Sequence, residues 1–151
     1  MRAAIALGSN LGDRDAVLAG AAAALRGILT NLTLSSAHET AYVGPGAAQP
    51  AYRNAAAVGE TALDARALLE ALLEIERRFG RERPYPDAPR TLDLDLILYG
   101  MEIIDEPGLV VPHPRFRRRR FVLEPLAEIA ADWIDPVTGR TIEELLRTLD
   151  S

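Results

Sequence analysis

The chain has 151 residues, enough for one domain with a sizeable core, and is 48% hydrophobic and 26% charged, the balance of a globular protein. Its net charge of −5 argues against a general nucleic-acid binder, and the absence of cysteine removes disulfides and thiolate-held zinc. The opening apolar run is too short for a signal peptide and no stretch is long enough to span a bilayer, so a single cytoplasmic domain over residues 1–151 is the expectation.

Taken in order, Ala3 to Leu7 is a short apolar run that halts at Gly8, as a buried strand does. Gly8-Ser9-Asn10-Leu11-Gly12-Asp13 follows as a turn without the Gly-Lys-Ser/Thr of a Walker A loop, and Asp13 or Asp15 is available as a cap. From Asp15 to Leu29 the spacing of Leu18, Ala21, Leu25, Ile28 and Leu29 predicts a helix. Leu32 to Thr40 reads as one strand. Residues 41–51 hold Gly44, Pro45, Gly46 and Pro50 with little charge, and a loop of that length is more often functional than idle. Tyr52 to Thr61 reads as a strand.

Asp64 to Phe79 is the clearest helix, with Asp64 as its cap and Leu68, Leu69, Leu72, Ile75 and Phe79 in one sector. Glu76 falls inside that apolar sector, where an ionised carboxylate is costly unless it is paired. Two readings stand there: a structural ion pair, or a carboxylate of the functional site. Gly80 ends the helix and a proline-rich segment leads to Thr91-Leu92-Asp93-Leu94-Asp95-Leu96-Ile97-Leu98-Tyr99. A period of two sends Leu92, Leu94, Leu96 and Leu98 to one face, and Asp93, Asp95, Ile97 and Tyr99 to the other. Met101 to Ile104 reads as the return of a hairpin and Leu109 to Pro114 as extended. Phe121 to Ala131 reads as a helix around Pro125 and Asp135 to Gly139 as a turn. Thr141 and Glu144 form a capping box for a last helix.

Two aspartates on one strand face, with Cβ atoms about 7 Å apart, suit two hard cations bridged by phosphate oxygens, or one cation held by both carboxylates. Arg81, Arg83 and Arg90 flank that strand, and residues 115–120 add five arginines around Phe116. Arginine makes bidentate phosphate contacts, so metal-assisted phosphoryl transfer is one reading and a solvated basic face is the reading for most of the 115–120 run. His113, held between two prolines, is either a nucleotide contact or a structural imidazole; His38 has no supporting constellation and reads as structural.

Leu7-Gly8-Ser9-Asn10-Leu11-Gly12, Tyr52-Arg53-Asn54-Ala55, Phe79-Gly80-Arg81, Pro89-Arg90-Thr91-Leu92-Asp93-Leu94-Asp95 and Val111-Pro112-His113-Pro114-Arg115 occur in that order. Together they resemble the 6-hydroxymethyl-7,8-dihydropterin pyrophosphokinases of folate biosynthesis, over nearly the whole chain. The resemblance implies an α+β fold: a ferredoxin-like antiparallel sheet flanked by helices in αβα layers. It implies an ATP-dependent pyrophosphokinase that moves the β,γ-diphosphate of ATP to the pterin hydroxymethyl group and releases AMP, using two Mg2+ ions. Asp93 and Asp95 then correspond to the magnesium ligands, and Arg81 and Arg90 to arginines acting on the phosphates. Glu76, Arg83, His113 and Arg119 correspond to ATP contacts, and Thr40, Val43, Tyr52, Asn54 and Phe121 to the pterin pocket. The partners implied are ATP and the pterin, with no nucleic acid and no membrane, and the protein is expected to be a monomer. The rival readings are another magnesium-dependent phosphoryl or nucleotidyl transferase and a non-catalytic binding module on a ferredoxin-like sheet.

Overall fold

A computed structural model of the chain describes residues 1–10, 13–40, 51–80 and 92–150. Seven strands and four helices are formed there: β1 (Arg2–Ser9), α1 (Arg14–Leu25), β2 (Thr30–Leu34), β3 (His38–Thr40), β4 (Tyr52–Glu60), α2 (Ala65–Phe79), β5 (Asp93–Tyr99), β6 (Ile104–Glu106), β7 (Leu109–Val111), α3 (Arg120–Ala130) and α4 (Ile142–Asp150). The main sheet runs β2-β4-β1-β5, with β3 paired to β4 beyond the end of β2. All its pairings are antiparallel. The order places β4 between β1 and β2 and leaves β5 at the edge, the split β-α-β arrangement of an antiparallel ferredoxin-like sheet.

The helix ends follow local chemistry. Asp13 Oδ1 accepts the Ala16 N–H at 3.1 Å and Asp64 Oδ1 accepts the Ala67 N–H at 2.8 Å, each satisfying an amide that the first helical turn leaves open. Thr141 and Glu144 exchange backbone N–H bonds to each other's side chains at 3.0 and 3.1 Å, the reciprocal capping box expected from the sequence.

Alternation in the strands divides the core in two. Ala3, Ile5 and Leu7 of β1 pack with Leu68, Leu72 and Ile75 of α2 and Leu18, Ala21 and Leu25 of α1. Ala4, with Ala56 and Val58 of β4, packs on the opposite face against Phe116, Val122, Leu123 and Leu126, beneath α3 and α4. Burying each large aliphatic or aromatic side chain in these layers contributes about 1.5–3 kcal/mol, and the face under α1 and α2 holds more of them.

Three expectations are corrected by long-range pairing. The strand read as 32–40 is two strands, because regular pairing with β4 stops after Leu34, where the Ser35 side chain takes the Ala56 N–H, and resumes at His38. Met101 to Ile104 does not return against β5; Ile104–Glu106 pairs instead with Leu109–Val111 in a separate ribbon. The leucine face of β5 is also interrupted. Ile5 pairs with Leu96 but Ala4 with Leu98, so Ile97 is an inserted residue and the alternation inverts there. Leu92, Leu94 and Leu96 therefore face α1 and α2, joined by Tyr99, while Ile97 and Leu98 both enter the core under α3. The bulge keeps the aspartate half of the strand in one register while both residues beyond it are buried. Of the 32–40, 101–104 and 92–98 readings, each failed where the partner strand, not the local pattern, decides.

Candidate active site

The two aspartates lie where β5 begins, opposite Gly8 and Ala6 of β1. Ala6 packs against the α3 layer, so the neighbouring side chains of Asp93 and Asp95 rise on that same side. Both are partly buried. They share a cavity of about 580 Å³ with Thr40, Tyr52 and Asn54 from the β3–β4 ribbon and with Arg119 and Phe121 from the start of α3. Gly8 forms its floor: a Cβ there would stand 3.1 Å from Asn54 Oδ1 and 3.5 Å from Tyr52 Cδ1. The absence of a side chain at that position is what leaves the space.

Asn54 is almost fully buried, and its Nδ2 donates to Thr40 Oγ1 at 2.7 Å, which sets the direction of the amide. Phe121 is a large apolar ring with substantial exposure, and the Arg119 guanidinium lies 5.5 Å from its centroid. A flat heterocycle with a donor–acceptor edge could meet the amide on one side and the ring on the other. Tyr52, next to Gly8, completes that wall.

His113 follows the cis Val111–Pro112 peptide and donates its backbone N–H to the Ile97 carbonyl at 3.0 Å, which fixes it beside the bulge of β5. Burial pushes its imidazole below the ordinary histidine pKa, with Arg119 and Arg115 acting the same way against the opposing pull of Asp95. Its Nδ1 accepts the Arg115 N–H at 3.2 Å, a role that requires that nitrogen to be unprotonated. His113 is not among the residues lining the cavity.

Glu76 lies on the other side of β5. Its carboxylate accepts the Leu94 N–H at 2.7 Å, from the last turn of the helix that covers the leucine face. It does not line the cavity among the described residues. Arg81, Arg83, Arg90 and Val43 fall outside the described residues.

Several residues of the cavity carried no signal in the sequence reading. His38 is one of them. Its Nε2 is 3.2 Å from Glu128 Oε2 and its Nδ1 3.7 Å from Glu124 Oε2, while the Ser36 hydroxyl also donates to Glu128. The Ser36 hydroxyl, with His38, holds the Glu128 carboxyl below the usual glutamate range. Arg120 Nη1 donates to Glu124 at 3.1 Å, so a chain of charges ties α3 to β3 along the cavity rim. Only the i, i+4 spacing of residues 120, 124 and 128 was visible beforehand, and it reads equally well as a solvated helix face. Arg117 also departs from the solvated face proposed for its neighbours. It is paired to the fully buried Asp135 through Nε and Nη2, the latter at 2.9 Å.

The sequence pattern of the 7,8-dihydro-6-hydroxymethylpterin-pyrophosphokinase family matches residues 4–131. The chain is 42% identical over 151 residues to the 2-amino-4-hydroxy-6-hydroxymethyldihydropteridine pyrophosphokinase of Synechocystis sp., covering 98% of this chain and 76% of that protein. It is 42% identical over 153 residues to the protein of the same name from Methylorubrum extorquens, covering 99% of this chain and 94% of that one. Among solved structures it is similar to Plasmodium falciparum HPPK-DHPS with pterin and p-hydrobenzoate, with a TM-score of 0.73 at 13% identity. That alignment covers 97% of this chain and 44% of the longer one, and it speaks for the fold.

Proposed function

The chain belongs to the 7,8-dihydro-6-hydroxymethylpterin-pyrophosphokinase family, and from that premise we propose that it transfers the β,γ-diphosphate of ATP to the hydroxymethyl group of 6-hydroxymethyl-7,8-dihydropterin, releasing AMP, in the synthesis of folate. The observation that carries the reading to this chain's own residues is the shared cavity. One space is lined by the Asp93–Asp95 pair, by Arg119 and Arg120, by the buried amide of Asn54 and by the rings of Tyr52 and Phe121.

Asn54, oriented by Thr40, pairs with the polar edge of the pterin, and Phe121 and Tyr52 hold its faces. Arg119 reaches phosphate oxygens as a fork of donors, and His113 and Arg83 assist in holding the nucleotide. Arg81 and Arg90 act on the phosphates as the bond from the β-phosphorus to the α,β-bridging oxygen breaks and charge builds on that oxygen of the leaving AMP.

The donor set fits magnesium. Asp93 and Asp95 offer hard oxygens, and among the described residues no group of three or more acidic, histidine or cysteine side chains forms an all-protein cage. That is the habit of Mg2+, which takes one or two carboxylates and fills its octahedron with phosphate and water. Two Mg2+ ions held by Asp93 and Asp95 would neutralise the triphosphate charge and keep it in line with the hydroxyl. A loose transition state asks for little proton removal beforehand, so positioning by Asn54, Phe121 and the arginines supplies most of the rate.

We place the enzyme in the cytoplasm as a monomer. Among the described residues no helix is long and apolar enough to cross a membrane. The deciding experiment is incubation with ATP, Mg2+ and the reduced hydroxymethylpterin, with the nucleotide products separated. AMP is expected in step with pterin diphosphate; ADP, or no nucleotide turnover, refutes the proposal.

A further inference from the structure

Among the described residues β5 is the edge strand of the sheet, so its amides pointing away from β1 find no strand partner there. The amide between the two aspartates, that of Leu94, is one of these. It is met by Glu76 Oε2 at 2.7 Å, reaching round from α2 on the far face. Farther along the same edge, the Ile97 carbonyl accepts the His113 N–H at 3.0 Å. Glu76 also receives the Gly80 N–H on its backbone carbonyl at 2.8 Å. Gly80, just before residues 81–91, and Leu94, three residues after them, thus both donate to one glutamate.

We infer that Glu76 is a positioning residue for the Asp93–Asp95 pair, holding the β5 backbone between them through the Leu94 amide, a role separate from the ATP contact that the family resemblance implies. The inference rests on the reading of Asp93 and Asp95 as the magnesium-holding pair. A carboxylate is a stronger acceptor than water for an amide at a strand edge. With Leu94 held, the peptide planes on both sides of it are fixed, and with them the Cα–Cβ directions of Asp93 and Asp95. Cation affinity depends on those directions, because Mg2+ tolerates little departure from octahedral geometry. The placement also accounts for a glutamate in the apolar sector of α2. A leucine there would pack as well, yet leave the edge amide to water.

The test uses Glu76→Leu, which suits the apolar sector, with Glu76→Ala as a second variant, and Glu76→Gln, which keeps an acceptor oxygen. Exchange of the Leu94 amide is followed by NMR in the protein without nucleotide. The Mg2+ concentration needed for half-maximal binding of a nonhydrolysable ATP analogue is measured separately. Loss of the acceptor is expected to speed Leu94 exchange by about tenfold or more, the equivalent of one charge-assisted hydrogen bond. It is expected to raise the Mg2+ requirement by about 10- to 100-fold, as loss of groups behind metal ligands does. Glu76→Gln should restore both towards wild type. Unchanged Leu94 exchange in the Leu and Ala variants overturns the inference, and so does faster exchange with an unchanged Mg2+ requirement. Equal loss of ATP-analogue affinity in the Gln and Leu variants at saturating Mg2+ assigns Glu76 to the nucleotide instead and also overturns it. Asp95→Asn tests the underlying reading separately: a wild-type Mg2+ requirement there removes the aspartates from metal binding, whatever the Leu94 amide does.

Discussion

Replacing Asp135 by alanine should be among the costliest single changes in this protein, although the residue touches no substrate candidate. Its carboxylate is fully buried and accepts from Arg117 Nε and Nη2, from the Val137 N–H at 3.0 Å and from the Thr138 hydroxyl at 2.7 Å. Removing one member of a buried ion pair costs about 3–5 kcal/mol, chiefly because the other charge is stranded. The Arg117 side chain retains 23% of its exposure, so water can partly rehydrate it and the lower end, about 3 kcal/mol, applies. For a domain of this size each kcal/mol moves the melting temperature by about 2–4 °C, which gives a fall of about 6–12 °C.

The pH dependence has a definite sign. Burial pushes the Asp135 carboxyl up, but the hydrogen bonds from Arg117, Thr138 and Val137 outweigh it and hold the group below the usual carboxylate range. Its folded pKa is thus lower than its unfolded one. The contribution is complete above the unfolded value of about 3.9 and fades as pH falls through the folded one. Calorimetric melts of wild type and Asp135→Ala at pH 7 and at acid pH read this directly. The gap should be widest at pH 7 and narrow below about pH 4. A difference below about 2 °C at pH 7, or a gap that widens on acidification, would refute the argument. The link to function is positional, since Arg117 lies in the short turn between His113 and Arg119, and Asp135 anchors that turn to the C-terminal part of the fold.

Gly8→Ala should raise the pterin KM by about tenfold, roughly the worth of one hydrogen bond, while the ATP KM stays near wild type. The new Cβ would press on Asn54 Oδ1 at 3.1 Å, and Asn54 is held from behind by Thr40. Steady-state kinetics with each substrate varied in turn checks it, and an unchanged pterin KM sinks it. His113 should titrate below the ordinary imidazole value of about 6.5, because burial and its arginine neighbours disfavour the cation. An NMR pH titration of its ring protons measures this, and a midpoint at or above that value would contradict the environment described.

Much of the fold was legible because its signals are local. Asp64 and the Thr141–Glu144 box sit within three residues of the amides they cap, and α2 announces itself by an apolar sector of its own. The aspartate pair was legible for the same reason: alternation from Leu92 to Leu96 needs no knowledge of a partner strand. The family motifs added the chemistry of the reaction, which no periodicity contains.

Tertiary structure decided the rest. The bulge at Ile97 exists because β1 pairs Ile5 with Leu96 and Ala4 with Leu98, and no pattern within β5 marks where the register slips. The two-part strand over 30–40 and the β6–β7 ribbon likewise depend on which segments meet. The two readings of Glu76 could not be separated on a helical wheel. Its carboxylate meets an amide 18 residues away, supplied by a strand edge that exists only once the sheet is ordered. Sequence by itself determined which side chains carry charge and which face of each element is apolar, because these follow from residue type and spacing. Only the fold decided which of them meet across the sheet, because that depends on contacts between residues far apart in the chain.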